Sequence, residues 1–181
     1  MNKTSLRVRR LVLAAICLAL CMVLPFFTGQ IPEIGSMLCP MHIPVLLCGF
    51  IAGPAWAGAV GLIAPFLRFA LFGMPPLFPT GAAMCAELAA YGAISGLLYR
   101  RLPRKPMSVY AALLASMLSG RIVWGIVQYF LLGMTGAPFT WAAFIAGAFT
   151  SAIPGIILHI ALIPVVVLAL ERALPWIKEM R

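Results

Sequence analysis

Three ionisable residues stand in stretches that otherwise avoid charge. Arg68 and Glu87 lie on either side of the Gly/Pro-rich run FGMPPLFPT, and Arg121 falls within another long apolar stretch. A charged side chain inside a membrane span costs at least about 2.5 kcal/mol, so by default it faces a cavity or a partner and marks a functional-site candidate. The chemistry open to this set is ion pairing and hydrogen bonding to a polar solute. Catalysis is a poorer fit, because the clustered His, Asp or Glu of acid–base or metal sites is missing. His42 and His159 are isolated in sequence, and no glycine-rich nucleotide loop ending in Lys-Ser or Lys-Thr is present. Cys17, Cys21, Cys39, Cys48 and Cys85 lack paired spacing, which argues against a disulfide framework or a zinc site. No cofactor and no enzymatic activity are expected.

The elements that hold these residues follow from composition. The 181 residues are 64% hydrophobic and 9% charged, with a mean hydropathy of +1.08, whereas soluble domains run to roughly 45–50% apolar and about 25% charged. The chain therefore reads as an all-α integral membrane protein, and its apolar stretches form a single transmembrane domain over residues 1–181. Six transmembrane helices are expected at about 11–27, 41–53, 55–72, 80–99, 108–132 and 141–170. The second is short: at about 1.5 Å per residue it covers roughly 20 Å of a hydrocarbon core of about 30 Å.

Charge settles the parity. Eleven of the thirteen Lys and Arg fall in three clusters: Lys3, Arg7, Arg9 and Arg10; Arg100, Arg101, Arg104 and Lys105; Arg172, Lys178 and Arg181. Six spans place all three clusters, and both termini, in the cytoplasm, as the positive-inside rule requires. A re-entrant second segment would put the central cluster outside. The net charge of +9 is then a topology signal facing an anionic leaflet rather than a nucleic-acid footprint. The basic start and its apolar run read as a retained helix rather than a cleaved signal peptide.

In this frame Arg68 and Glu87 both lie roughly 8–10 Å below the outer surface, where they can meet as an ion pair. Counted from the outer connector Arg121 is about 18 Å deep, with no acid left inside the membrane to match it. It would need backbone carbonyls, water or a bound anion, because Glu33 reads as a loop residue. These three side chains either staple helices together or line an outward-facing pocket for a small polar solute. Gln128 and Tyr129 would add hydrogen bonds there, and Trp124, Phe78, Phe139 and Trp141 would stack on or cover a ring. The outer connectors are rich in Gly and Pro, with Gly29, Gly35, Gly73 and Gly136 as turn or hinge positions.

Small residues recur at four-residue spacing, which sets them on one helix face and lets another backbone approach. Gly49 and Gly53, Ala82, Ala86 and Ala90, and Ala142 and Ala146 are expected to pack inside the bundle. Ala15 and Ala19 on the first helix are the best docking face for a second membrane protein.

The order of these features resembles a known family. A basic N-terminus leads into LVLAAICLAL, followed by an outer segment, the Gly-Pro turn within GFIAGPAWAGAVGLIAPFLRFAL, the loop GMPPLFPTGAAM and the helix end GAISGLLYRR. Over essentially the whole chain this is similar to the substrate-binding S components of energy-coupling factor (ECF) transporters. The resemblance implies capture of a vitamin or related micronutrient and delivery to a transmembrane coupling protein with two ATPase subunits, in the plasma membrane of a prokaryote. It implies that Ala15 and Ala19 contact the coupling subunit. It also implies a substrate cavity near the outer surface, and a toppling of the S component that carries the solute inward. Two buried arginines against one glutamate favour an anionic or strongly hydrogen-bonding vitamin, pantothenate first, with riboflavin, folate, a pyridoxine-type compound or a cobalamin precursor also open. The main alternative is a stand-alone secondary transporter, for which internal repeats would be expected; an integral membrane enzyme and a purely structural module are weaker readings.

Overall fold

The computed structural model describes residues 3–28, 31–103 and 105–179. Gly29 of the hinge positions, and Arg104 and Arg181 of the basic clusters, lie outside the described residues. The elements in chain order are α1 (Lys3–Val23) with a 3-10 turn at Leu24–Thr28, α2 (Pro32–Leu38), α3 (His42–Ile51), α4 (Pro54–Phe72), α5 (Ala82–Arg101), α6 (Met107–Met134), α7 (Trp141–Ile145), α8 (Ile153–Ala173) and α9 (Trp176–Glu179). Single wide turns at Leu77–Gly81 and Ala146–Thr150 precede α5 and α8.

Among the described residues six stretches are long and apolar enough to cross a membrane: Thr4–Thr28, Glu33–Ile51, Pro54–Phe72, Leu77–Arg101, Met107–Met134 and Trp141–Ala173. Three of them extend the expected spans by a few residues at most, the first begins about seven residues earlier than expected, and two have a different construction. The second span is longer than 41–53, because the expected outer connector contains α2. Pro32 at its N-terminus costs no hydrogen bond, and Glu33 in the first turn complements the helix dipole; Glu33 is therefore a helical residue rather than a loop residue. Cys39, at φ 48°, closes α2 in a left-handed turn before α3 begins. The sixth span is interrupted, since the Ser151 hydroxyl donates to the carbonyls of Ala146 and Gly147 where α7 gives way to α8.

At the centre lies α5, packed against α3, α4 and α6; α1 covers α3 and α4, and α8 covers α2, α3 and α6. Without a hydrophobic force between helices in lipid, close backbone approach must supply the packing energy. A Cβ on Gly92 would stand 2.5 Å from the Ala57 carbonyl oxygen, and one on Gly96 would stand 2.6 Å from the Pro54 nitrogen. Gly49 of α3 meets Gly92 and Gly96 from the other side. The tight seam of α5 thus runs along Gly92 and Gly96, while Ala82, Ala86 and Ala90 are only half-buried. Ala142 and Ala146, expected inside, are exposed, because α7 packs mainly on its own following turn.

The chain ends gather at one end of the bundle. The Arg9 guanidinium lies 4.9 Å from the Trp176 ring centroid, and the Tyr99 hydroxyl donates to Glu171 at 2.6 Å. The opposite end, where α1 stops and α5 starts, opens into a cavity.

Candidate functional site

The cavity measures about 590 Å³, within the ordinary range of small-molecule sites. Its walls come from the 3-10 turn after α1, from α2, from the proline loop 74–76 and from the wide turn before α8, with α5 and α6 beneath. Met41, Met74, Pro75 and Met84 make much of the lining apolar. Gly73, at φ 72°, ends α4 in the left-handed turn that sends the chain into the proline loop.

Glu87 sits on the floor, 1% exposed. Its Oε1 is 2.9 Å from Arg121 Nη1 and 3.4 Å from His42 Nε2. The expected Arg68–Glu87 pair is therefore replaced by a Glu87–Arg121 pair, and Arg121 does have an acid partner. Height explains the difference. Glu87 stands fourteen residues before Arg101 at the end of α5, and Arg121 fourteen residues after Met107 at the start of α6. Both lie about 21 Å from the turn they share. The opposite end of α6 overshoots α5, so counting from there exaggerates the depth of Arg121.

Arg68 faces elsewhere. Its Nη1 donates to the Met22 carbonyl at 2.8 Å, and its guanidinium carbon lies 5.4 Å and 5.2 Å from the ring centroids of Phe26 and Phe72. Both are cation–π contacts, made on one side of the guanidinium because the two rings lie 5.1 Å apart. Arg68 is 3% exposed and lines the same cavity, and no carboxylate lies within salt-bridge distance of it among the described residues.

The fold adds residues that spacing did not reveal. His42 sits edge-on to Tyr91 at 5.2 Å and stacks on His159 at 6.1 Å, although the two histidines are far apart in the chain. Cys39 Sγ accepts from Arg121 Nη2 at 3.6 Å and donates to the Ser36 carbonyl at 3.1 Å. Both ring nitrogens of His42, Nε2 of His159 and Oε1 of Gln128 are buried without a hydrogen-bond partner among the described residues. Unpaired buried polar atoms are costly in a low-dielectric setting, and those that border a cavity are where a ligand gains most. No group of three or more His, Cys, Asp or Glu among the described residues is arranged to hold a metal ion.

Of the expected site residues, Arg68, Glu87, Arg121 and Trp124 line the cavity, and Gln128 does not. Trp124 packs edge-on to Phe139 and stacks near Phe144. Tyr129, Phe139 and Trp141 line a second, apolar groove of about 500 Å³ on the outside of the bundle, and Phe78 borders neither space. Ala15 and Ala19 are exposed on α1, on the face opposite the buried Ala14, Cys17 and Cys21.

A polytopic membrane bundle with a solute-sized cavity that carries buried charged groups is the class that fold and site define. The model for the ECF transporter substrate-specific component matches residues 9–167, and the chain belongs to that family. Members are binding subunits of transporters rather than enzymes, and they act with the partner proteins of an ECF module on a small-molecule substrate. No curated protein and no solved structure matches the chain.

Proposed function

We propose that this chain is the solute-capturing subunit of an ATP-driven importer for a vitamin-class micronutrient, in the plasma membrane of a prokaryote with both termini cytoplasmic. One observation carries the reading: a cavity of about 590 Å³, mostly apolar in its walls, presents two buried guanidiniums and a buried carboxylate at one end of a membrane bundle. The balance of charge favours an acidic solute, pantothenate-like in the first instance. Energy comes from two ATPase subunits through a transmembrane coupling protein. Ala15 and Ala19 are the docking face for that coupling protein, an assignment supported by their exposure on α1. A smooth, small-residue surface permits sliding as well as contact, which suits a subunit that topples to deliver its solute.

The direct test is to purify the protein alone from cells grown in rich medium, denature it and identify any released small molecule by mass spectrometry. A stoichiometric vitamin is the expected result. Failure to retain or bind any micronutrient of a broad panel, with the energising subunits present, would overturn the reading.

A further inference from the structure

The two buried arginines of the cavity differ in what balances them. The Arg121 charge is cancelled at 2.9 Å by Glu87, and its second nitrogen is occupied by Cys39 Sγ. Arg68 is balanced by one backbone carbonyl and two aromatic faces. Neither a carbonyl dipole nor a ring quadrupole carries net charge, so the wall around Arg68 keeps one positive charge in a low-dielectric setting. Glu33, the other acid on the cavity, is exposed at its rim and screened by water. Phe26 and Phe72, whose ring centroids lie 5.1 Å apart, together cover one side of the guanidinium and leave its remaining N–H donors as the route to an oxygen ligand. A planar fork of that kind suits a carboxylate.

We propose that Arg68 is the anion anchor of the cavity, holding the single carboxylate of the solute, while Glu87, Arg121 and His42 form a floor that reads a donor–acceptor group at the solute's other end. This deepens the solute-capture reading above and rests on it. The floor supplies both senses of hydrogen bond, since the guanidinium only donates, the carboxylate only accepts and a neutral imidazole does one of each. Nδ1 of His42, buried without a hydrogen-bond partner among the described residues, fits that role, with Nε2 3.4 Å from Glu87 Oε1. The substrate class is therefore a monocarboxylate whose remaining polar groups are uncharged amides, hydroxyls or ring nitrogens. Dianions and cations are disfavoured.

The test uses full-length protein in nanodiscs at pH 7, with intrinsic tryptophan fluorescence and calorimetry as readouts. The probes are acid and neutral pairs of the same skeleton: pantothenate and panthenol, nicotinate and nicotinamide, 4-pyridoxate and pyridoxine. For a pair that binds, the acid is expected to win by about tenfold or more, the scale of one charge-assisted contact. Arg68→Gln should bring the ratio close to one, with Arg68→Lys intermediate. The double variant Glu87→Gln/Arg121→Met keeps the cavity's net charge and should weaken both members together while preserving their ratio. If Arg68→Gln does not fold, the wild-type ratio and the double variant still decide. A neutral member binding as well as its acid would overturn the anion anchor while leaving solute capture standing. An acid preference that survives Arg68→Gln, or disappears in the double variant, would overturn it equally. Binding of no member would overturn the monocarboxylate class proposed here, while solute capture itself would stand or fall on the broad panel above.

Discussion

On one face of α5, a Cβ at Gly92 would stand 2.5 Å from the Ala57 carbonyl oxygen; about one and a half turns earlier on the same helix, Glu87 borders a cavity of about 590 Å³. The first region is a seam in which backbones touch and side chains have been reduced to hydrogen. The second keeps long polar side chains and leaves several of their atoms without partners. The contrast shows how one helix serves both needs. Contact with α3 and α4 fixes α5 as a platform, and the freedom to leave space open is confined to the end where α2, the proline loop and the turn before α8 meet.

That contrast can be broken most forcefully at the floor. Arg121→Met leaves Glu87 buried without its guanidinium partner, and losing one partner of a buried pair costs about 3–5 kcal/mol. A large fall in thermal stability in detergent is expected, with recovery in the Glu87→Gln/Arg121→Met double variant. Equal stability of the single and double variants would show that the pair is not coupled. Next comes the seam, where Gly92→Leu forces α4 away from α5 at a cost of about 1–3 kcal/mol or more. Reduced melting temperature and poor monodispersity on size exclusion are expected, and a normal profile would mean the backbone contact is looser than its geometry. Ala15→Trp and Ala19→Trp lie outside both regions. As exposed substitutions they should change stability by no more than about 0.5 kcal/mol. Solute binding should persist while uptake in the presence of the ECF partners is lost, and persistent uptake would move the docking face elsewhere. The smallest effect is expected at Gln128, whose side chain lies off the cavity. Gln128→Leu removes an unpaired buried oxygen, so stability should hold or rise slightly and affinity should stay unchanged. A marked loss of affinity would extend the site toward the C-terminal end of α6.

Much of this architecture is legible in the chain. Six apolar stretches follow from hydropathy, because a span must be apolar along its length whatever its neighbours are, and the order of the quoted segments carries the family resemblance. The interruptions at Cys39 and near Ser151 are not legible, since apolar composition does not distinguish a straight helix from two joined by a turn. The true seam is present in the run GAISG, but the alanines repeated at four-residue spacing mark a neighbouring face of the same helix more conspicuously.

The sequence by itself determined which residues had to be special. Arg68, Glu87 and Arg121 are charged in an apolar setting, and that cost is local and independent of topology. Only the tertiary structure decided which of them belong together. Position along a helix gives height, and by height Glu87 has two candidate arginines on its flanking helices. The direction each side chain takes around its helix axis sends Arg68 to the Met22 carbonyl and Arg121 to Glu87. The same packing brings His42 and His159 together from opposite ends of the chain.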